Sequence, residues 1–97
     1  MKIVWSPLAL ERIGEIAEYI ARDKASAASE WVESVFAKAA KLVSFPENGR
    51  VVPEIKRADI REILFGNNHI LYRIRKNQAA ILTVRHGKQI LSMADLG

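Results

Sequence analysis

The sequence contains no cysteine among its 97 residues. Without thiols the chain has no disulfide framework, no cysteine nucleophile and no thiolate metal site. The two histidines, His69 and His86, are far apart in sequence and match no metal-ligand spacing. We therefore expect neither a metal nor another cofactor, and the lack of cysteine fits a cytoplasmic protein.

Long apolar runs are also missing. The longest is only a few residues, whereas a membrane-spanning helix needs about 20. No charged segment leads into an apolar one at the N-terminus, so we expect no secretory signal and no membrane association. A glycine-rich phosphate loop and a G-x-S-x-G nucleophile motif are absent as well. The length predicts a single domain over residues 1–97.

Positive charge is concentrated in the second half of the chain. Residues 1–49 carry six Lys/Arg and seven Asp/Glu, whereas residues 50–97 carry nine and four. Such a basic half is typical of a protein that binds a polyanion or an acidic partner. A solvated basic face without any target would have the same composition.

The first half predicts a strand followed by two helices. Residues 2–5 are β-rich, and Ser6 and Pro7 are suited to the N-cap and first position of a helix over residues 7–22. Apolar residues recurring every three or four positions predict a second helix over residues 25–43. The short connection between them predicts an antiparallel hairpin.

The second half predicts an antiparallel meander. Three β-rich runs, over residues 60–65, 69–75 and 79–87, are joined by tight turns. In the last run, alternation places Leu82 and Val84 on one face. Residues 89–93 fit either a fourth strand or a tail helix. The predicted fold is α+β: an N-terminal strand and an antiparallel helical hairpin on one face of a three- to four-stranded antiparallel sheet, with the other face open.

The candidate binding residues are basic. Arginine binds phosphate or carboxylate through its planar fork. Arg61, Arg73 and Arg85 occur once in each predicted strand, and we expect them to line up across the open face, where they would add little to the core. The alternative is a role in solubility. The basic residues considered with them are Arg50, Lys56, Arg57, Arg61, Arg73, Arg75, Arg85 and Lys88.

Candidate acid–base groups are few. The unperturbed imidazole of a histidine has a pKa near neutrality, so His86 is a candidate general acid or base, although a histidine that packs or hydrogen-bonds at the end of a strand is the favoured explanation. Glu54 and Glu62 are candidate bases, or else partners of Lys56, Arg57 or Arg61 in salt bridges. Tyr19 and Tyr72 lie on or beside apolar stripes, and we expect both to pack.

Four segments together resemble the RelE/ParE toxin superfamily of bacterial type II toxin–antitoxin modules. They are "WSPLALERIGEIAEYIA", "LVSFPENGR", "IREILFGNNHILYRI" and "ILTVRHGKQ", and they cover nearly all of the chain. The resemblance implies a small cytoplasmic toxin that a cognate antitoxin neutralises. RelE-type members cut mRNA on the ribosome, whereas ParE-type members poison DNA gyrase.

The resemblance is stronger to the ParE type. RelE-type enzymes have a tyrosine or a histidine–tyrosine pair near the C-terminus, but no tyrosine follows Tyr72 in this chain. We therefore expect a non-enzymatic gyrase inhibitor, of the kind that stabilises plasmids, with target contacts among Arg61, Arg73, Arg85, His86 and Lys88. The alternative is a metal-independent endoribonuclease using His86, Arg85 and Arg61. A third possibility is an inactive toxin that only binds its antitoxin as a co-repressor.

The resemblance also implies how the partners are arranged. Operator DNA would be contacted only through the antitoxin, in a hetero-oligomer. We expect an extended antitoxin segment to cover the helical hairpin and the adjacent sheet surface. The small core is not expected to bury all of its large apolar side chains, which include Trp5, Leu8, Trp31 and Phe65.

Overall fold

The computed structural model describes residues 1–86, and in it two helices pack on one face of a five-stranded mixed sheet. The helices are α1 (Pro7–Ala21) and α2 (Ala25–Ala40), and a single 3-10 turn, Lys41–Val43, follows α2. The sheet order is β1-β5-β4-β3-β2, with β1 parallel to β5 and the other pairs antiparallel. The strands are β1 (Lys2–Trp5), β2 (Arg50–Val51), β3 (Ile60–Phe65), β4 (Asn68–Arg75) and β5 (Gln78–His86).

The predicted α+β fold is confirmed, with small differences at the element ends. The sheet has five strands rather than three or four and is mixed rather than antiparallel, because β1 joins it parallel to β5. Strand β2 is not predicted, since it has only two residues and shows no alternating pattern. The second helix becomes a 3-10 turn three residues before its predicted end. The predicted end at Gly87 and residues 89–93 lie outside the described part of the chain. No helix in residues 1–86 is long and apolar enough to cross a membrane.

Ser6 fixes the start of α1 and also ties it to the sheet. Its Oγ accepts a hydrogen bond from the Ala9 backbone N–H at 3.0 Å, as an N-cap should, and donates one to the Leu82 carbonyl at 2.7 Å. Pro7 occupies the first helical position, where its missing N–H costs nothing. The capping residue therefore sets the position of the helix over β5.

The main core lies between the helices and the sheet. Small residues at the contact, such as Ala9 and Ala39, are almost completely buried and allow the helices to approach the strands closely. Trp5 and Trp31 are half-buried against this core. Its buried members are Ala9, Ile13, Val35, Ala39, Leu42, Ile63, Ile70, Tyr72, Ala79, Ile81 and Val84.

Several apolar side chains remain exposed on or beside the helical hairpin. Tyr19 is 72% exposed, so the expectation that it packs is wrong, whereas Tyr72 is fully buried. Leu10 is half exposed, and Phe36 is 40% exposed although its ring contacts Trp5. Leu10, Tyr19 and Phe36 are thus more exposed than the two tryptophans, which are partly buried.

The opposite face of the sheet is only partly open, contrary to the prediction. Residues 52–59, between β2 and β3, fold back over it and form a second apolar cluster. Val52 and Ile60 are completely buried there, beside Leu71 and Leu82. The covering segment carries apolar side chains of its own at Val52 and Ile55, and their burial accounts for its position.

A β-bulge changes which residues of β5 face the helices. Thr83 is paired with Leu71 and Ile81 with Tyr72, so Leu82 is an extra residue. Because one extra residue reverses the alternation, Ile81 joins Val84 in the main core and Leu82 faces the second cluster. The prediction that Leu82 and Val84 share a face is therefore wrong.

Candidate functional site

A buried carboxylate, Glu62, lies at the centre of a charged cluster on the sheet face opposite the helices. Its side chain has no exposed surface although it carries a charge. Arg50 Nε donates to Oε1 at 2.9 Å, and Arg50 Nη2 lies 2.8 Å from the same oxygen. His69 Nδ1 lies 3.0 Å from Oε2, and Arg85 Nη2 lies 3.5 Å from it. We call Glu62, Arg50, His69 and Arg85 the Glu62 cluster.

The strand register brings these four residues together. Arg50 on β2 is directly opposite Glu62 on β3. His69 on β4 is opposite both Leu64 on β3 and Arg85 on β5, so it lies diagonally from Glu62 on the same face. Strands β2, β4 and β5 therefore supply Arg50, His69 and Arg85, respectively, to the carboxylate of Glu62 on β3.

Glu62 is held in its ionised form. Burial acts to raise its pKa, but hydrogen bonds from His69 and Arg50, together with their charges, outweigh burial and leave the pKa below its ordinary value. A buried charge is tolerated only when it is paired in this way. The carboxylate is thus a fixed acceptor and is poorly suited to act as a general acid.

Arg85 is built into this cluster rather than exposed beside it. Its side chain is only 12% exposed and lies between Glu62 and Glu54, whose Oε2 is 3.4 Å from Nη2. The expectation that an arginine at this position adds little to the packing of the domain is wrong. The reason is that the sheet face around it is partly covered, so the guanidinium must be paired where it lies.

Tyr72 fixes the loop that leads into Arg50. It is buried in the main core, and its hydroxyl accepts a hydrogen bond from the Gly49 N–H at 2.9 Å and donates one to the Pro46 carbonyl at 2.8 Å. Burial raises the pKa of Tyr72, and the hydrogen bond from Gly49 opposes the rise only in part. The hydroxyl therefore stays protonated and holds the backbone immediately before Arg50.

Gly49 is required for this contact because the ring approaches its backbone closely. A Cβ at this position would lie 2.7 Å from both Cε1 and the hydroxyl oxygen of Tyr72, and 2.8 Å from the Glu62 carbonyl oxygen. Real Cβ atoms essentially never come so close to backbone atoms. Only glycine lets the loop lie against β3 and β4 without a shift.

The three strand arginines do not line up across one face. Arg61 is opposite Tyr72, Arg73 is opposite Ile60, and Arg85 is opposite His69. Alternation therefore places Arg61 on the helix-side face, whereas Arg73 and Arg85 share the other. Along β4, Arg73 is four residues from His69, the residue opposite Arg85. The two arginines are therefore separated by roughly 13 Å along the strands, at about 3.3 Å per residue. The expected row is thus not formed.

Arg61 is held by hydrogen bonds to backbone carbonyls and is not part of the Glu62 cluster. Its Nε donates to the Ala58 carbonyl and its Nη1 to the Gly49 carbonyl, each at 3.1 Å. Arg57, another basic residue of this region, pairs with Asp59 at the surface through both ends of its fork, at 3.0 and 2.7 Å. The hydrogen bond from Arg57 lowers the pKa of Asp59.

His86 lies at the end of β5, opposite Asn68, and is exposed. Alternation along β5 puts it on the opposite face of the sheet from Arg85. Lys88 lies outside the described residues. The structure therefore does not bring His86, Arg85 and Arg61 into the single site that an endoribonuclease would need.

The predicted salt bridges of the two glutamates form, but with other partners. Glu54 pairs with Arg85, and Glu62 pairs with Arg50 and His69. Sequence reasoning connects them instead to Lys56, Arg57 and Arg61, which are near in sequence. It misses His69 as a site residue, since only the strand register reveals that His69 and Glu62 are neighbours.

Comparisons with known proteins agree with this architecture. A family model described as the ParE toxin of type II toxin-antitoxin system, parDE, matches residues 3–91. A chain of the chromosomal ParDE TA system from P. aeruginosa has a similar fold, with a TM-score of 0.73 over 89% of this chain and 95% of that chain. The two are 16% identical, so this likeness is one of fold. No curated protein has a significantly similar sequence.

Proposed function

The chain belongs to the ParE toxins of type II toxin–antitoxin systems, and we propose that it acts by binding and poisoning DNA gyrase in the cytoplasm. A cognate antitoxin would neutralise it and would alone contact operator DNA. A binding mode of action needs a rigid, charged surface rather than an assembled set of acid and base. The Glu62 cluster contributes to such a surface through Arg50, whose side chain is 54% exposed and is held by the buried Glu62 on the sheet face opposite the helices.

We prefer gyrase poisoning to RNA cleavage because the groups that RNA cleavage would require are separated in this structure. Metal-free cleavage needs a base for the 2′-hydroxyl, cations for the phosphate and an acid for the leaving oxygen. Tyr72 is buried with its hydroxyl bound to loop backbone, and His86 and Arg85 are on opposite faces. Within residues 1–86 no tyrosine or second histidine lies beside His69 on its face of the sheet.

The helical hairpin is the proposed antitoxin surface. Leu10, Tyr19 and Phe36 expose apolar area there, and an extended apolar segment that orders on binding would cover it. A peptide from the C-terminal half of the antitoxin should bind the isolated toxin. Failure of such a peptide to bind would remove this part of the proposal.

Pulse labelling of cells after induction distinguishes gyrase poisoning from mRNA cleavage. If gyrase is the target, incorporation of labelled thymidine should fall before incorporation of labelled amino acids. Loss of amino-acid incorporation first would instead favour a target in translation. Co-expression of the antitoxin is the control, and it should restore both.

A further inference from the structure

Arg50 is an exposed arginine whose guanidinium is paired with a buried carboxylate. Its side chain is 54% exposed, yet the carboxylate that holds it is fully buried. A guanidinium has five N–H donors, and the two that face Glu62 come from Nε and Nη2. Arg50 makes no other side-chain hydrogen bond within residues 1–86. The edge formed by Nη1 and Nη2 therefore keeps donors that have no partner within residues 1–86, and we call it the outward edge.

The orientation of this edge is fixed from both sides. Glu62 cannot turn easily, because His69 and Arg85 contact its second oxygen. The backbone before Arg50 is held by the bond from Gly49 to Tyr72. An arginine fixed in this way loses little conformational entropy when it binds, so more of each hydrogen bond contributes to affinity.

The neighbouring charges indicate what the edge would bind. A planar fork fits the two oxygens of a carboxylate or a phosphate. Nucleic-acid backbones are bound by rows of cations that neutralise several phosphates. Here Glu54 and Glu62 balance Arg50 and Arg85, and the strand arginines form no row. The surroundings thus favour a single carboxylate on a protein.

We propose that Arg50 binds a carboxylate of the target protein through its outward edge, and that Glu62 is a positioning residue that holds Arg50 in this orientation. The identity of that target as gyrase rests on the proposed function. Arg57 offers a matched control, because it is equally exposed and also pairs through its fork, but with the partly exposed Asp59.

The contact is tested by measuring the affinity of the toxin for purified gyrase without DNA. Lysine keeps the charge but loses the fork, so Arg50→Lys should weaken binding about tenfold, the loss expected for one charge-assisted hydrogen-bond pair. Arg57→Lys should leave the affinity within about twofold. Equal affinities of the two variants would overturn the proposal. So would a difference that appears only when DNA is present, since it would assign the contact to a phosphate.

The positioning role is tested by combining Glu62→Gln with Arg50→Ala. If Glu62 acts through Arg50, Glu62→Gln should weaken binding in the wild-type background and have no further effect beside Arg50→Ala. The same fold-loss in both backgrounds would indicate a general structural effect and would overturn the role. Should Glu62→Gln be unfolded, Glu62→Asp replaces it, because it keeps the charge and withdraws the carboxylate.

Wild-type toxin separates failure of this inference from failure of the proposed function. If the wild type does not bind gyrase, the proposed function is wrong, and Arg50→Lys and Arg57→Lys are then compared by growth arrest. Arrest that is lost only with Arg50→Lys supports the contact with another target. Equal arrest by both variants, or no arrest by the wild type, overturns the inference.

Discussion

His69 and Glu62 are joined across the β3–β4 hairpin, with 3.0 Å between Nδ1 of the imidazole and Oε2 of a fully buried carboxylate. The pair does not stand alone, because Arg50 and Arg85 contact the same carboxylate from the two flanking strands. The positions of all three side chains therefore depend on one ionised group.

Acid should weaken this domain through Glu62. Its folded-state pKa is lowered below the ordinary value of 4.5, so its contribution to the free energy of unfolding is complete above that pH. The contribution is lost as the pH falls below 4.5 through the lowered pKa. Urea unfolding between pH 3 and pH 7 should show a steeper loss for the wild type than for Glu62→Gln. Asp59, whose pKa is also lowered, is present in both proteins, and parallel losses would contradict the prediction.

Two glycine-to-alanine changes should have opposite effects. Gly49→Ala places a Cβ 2.7 Å from Tyr72 and should lower the free energy of unfolding by about 1–3 kcal/mol. Gly14 lies within α1, and a Cβ added there would have no neighbouring atom within 4 Å, so Gly14→Ala should raise stability by about 0.5–1 kcal/mol. Chemical denaturation measures both. A harmless Gly49→Ala would show that the loop is not held against Tyr72.

Tyr72→Phe should destabilise the protein while keeping the ring. The change leaves the buried Gly49 N–H without its acceptor, which costs about 1–3 kcal/mol. Tyr19→Phe is the matched control, because that ring is 72% exposed, and it should change stability by less than about 0.5 kcal/mol. Equal thermal unfolding of the two variants would be incompatible with the hydrogen-bonded role of Tyr72.

The fold is largely predictable because its elements are locally encoded. The stripes of α1 and α2, the cap at Ser6 and the bounds of β1 and β3 all follow from patterns within one segment. Strand β2 escapes prediction because two residues carry no period. The bulge at Leu82 escapes it because the bulge depends on how β5 meets β4.

The site is far less predictable because it depends on register between strands. The sequence suggests a three-residue turn after β3, but Phe65 pairs with Asn68 around a two-residue turn, with Gly66 at a φ of 57°. A difference of one residue moves His69 from one face to the other. With the correct turn, His69 falls diagonally across from Glu62, and the cluster can be anticipated.

Replacement of Arg85 should reduce stability as well as any target contact. Arg85→Ala removes a 12% exposed cation from Glu62 and Glu54 and should cost about 1–3 kcal/mol in unfolding free energy. Its toxicity is therefore interpretable only beside a folded variant that still binds antitoxin. Arg75→Ala, at an exposed position, is the control and should be nearly neutral. An unchanged unfolding curve for Arg85→Ala would contradict the buried pairing.

The most direct measurement of the central claim is the amount of linear plasmid that purified gyrase produces in the presence of the purified toxin. We predict that linear DNA accumulates with toxin concentration, requires gyrase, and disappears when the antitoxin is added first. The same toxin should leave ribosome-bound mRNA intact. Site-specific cleavage of that mRNA, lost in His86→Ala, together with unchanged gyrase products, would contradict a gyrase-poisoning toxin and favour the endoribonuclease.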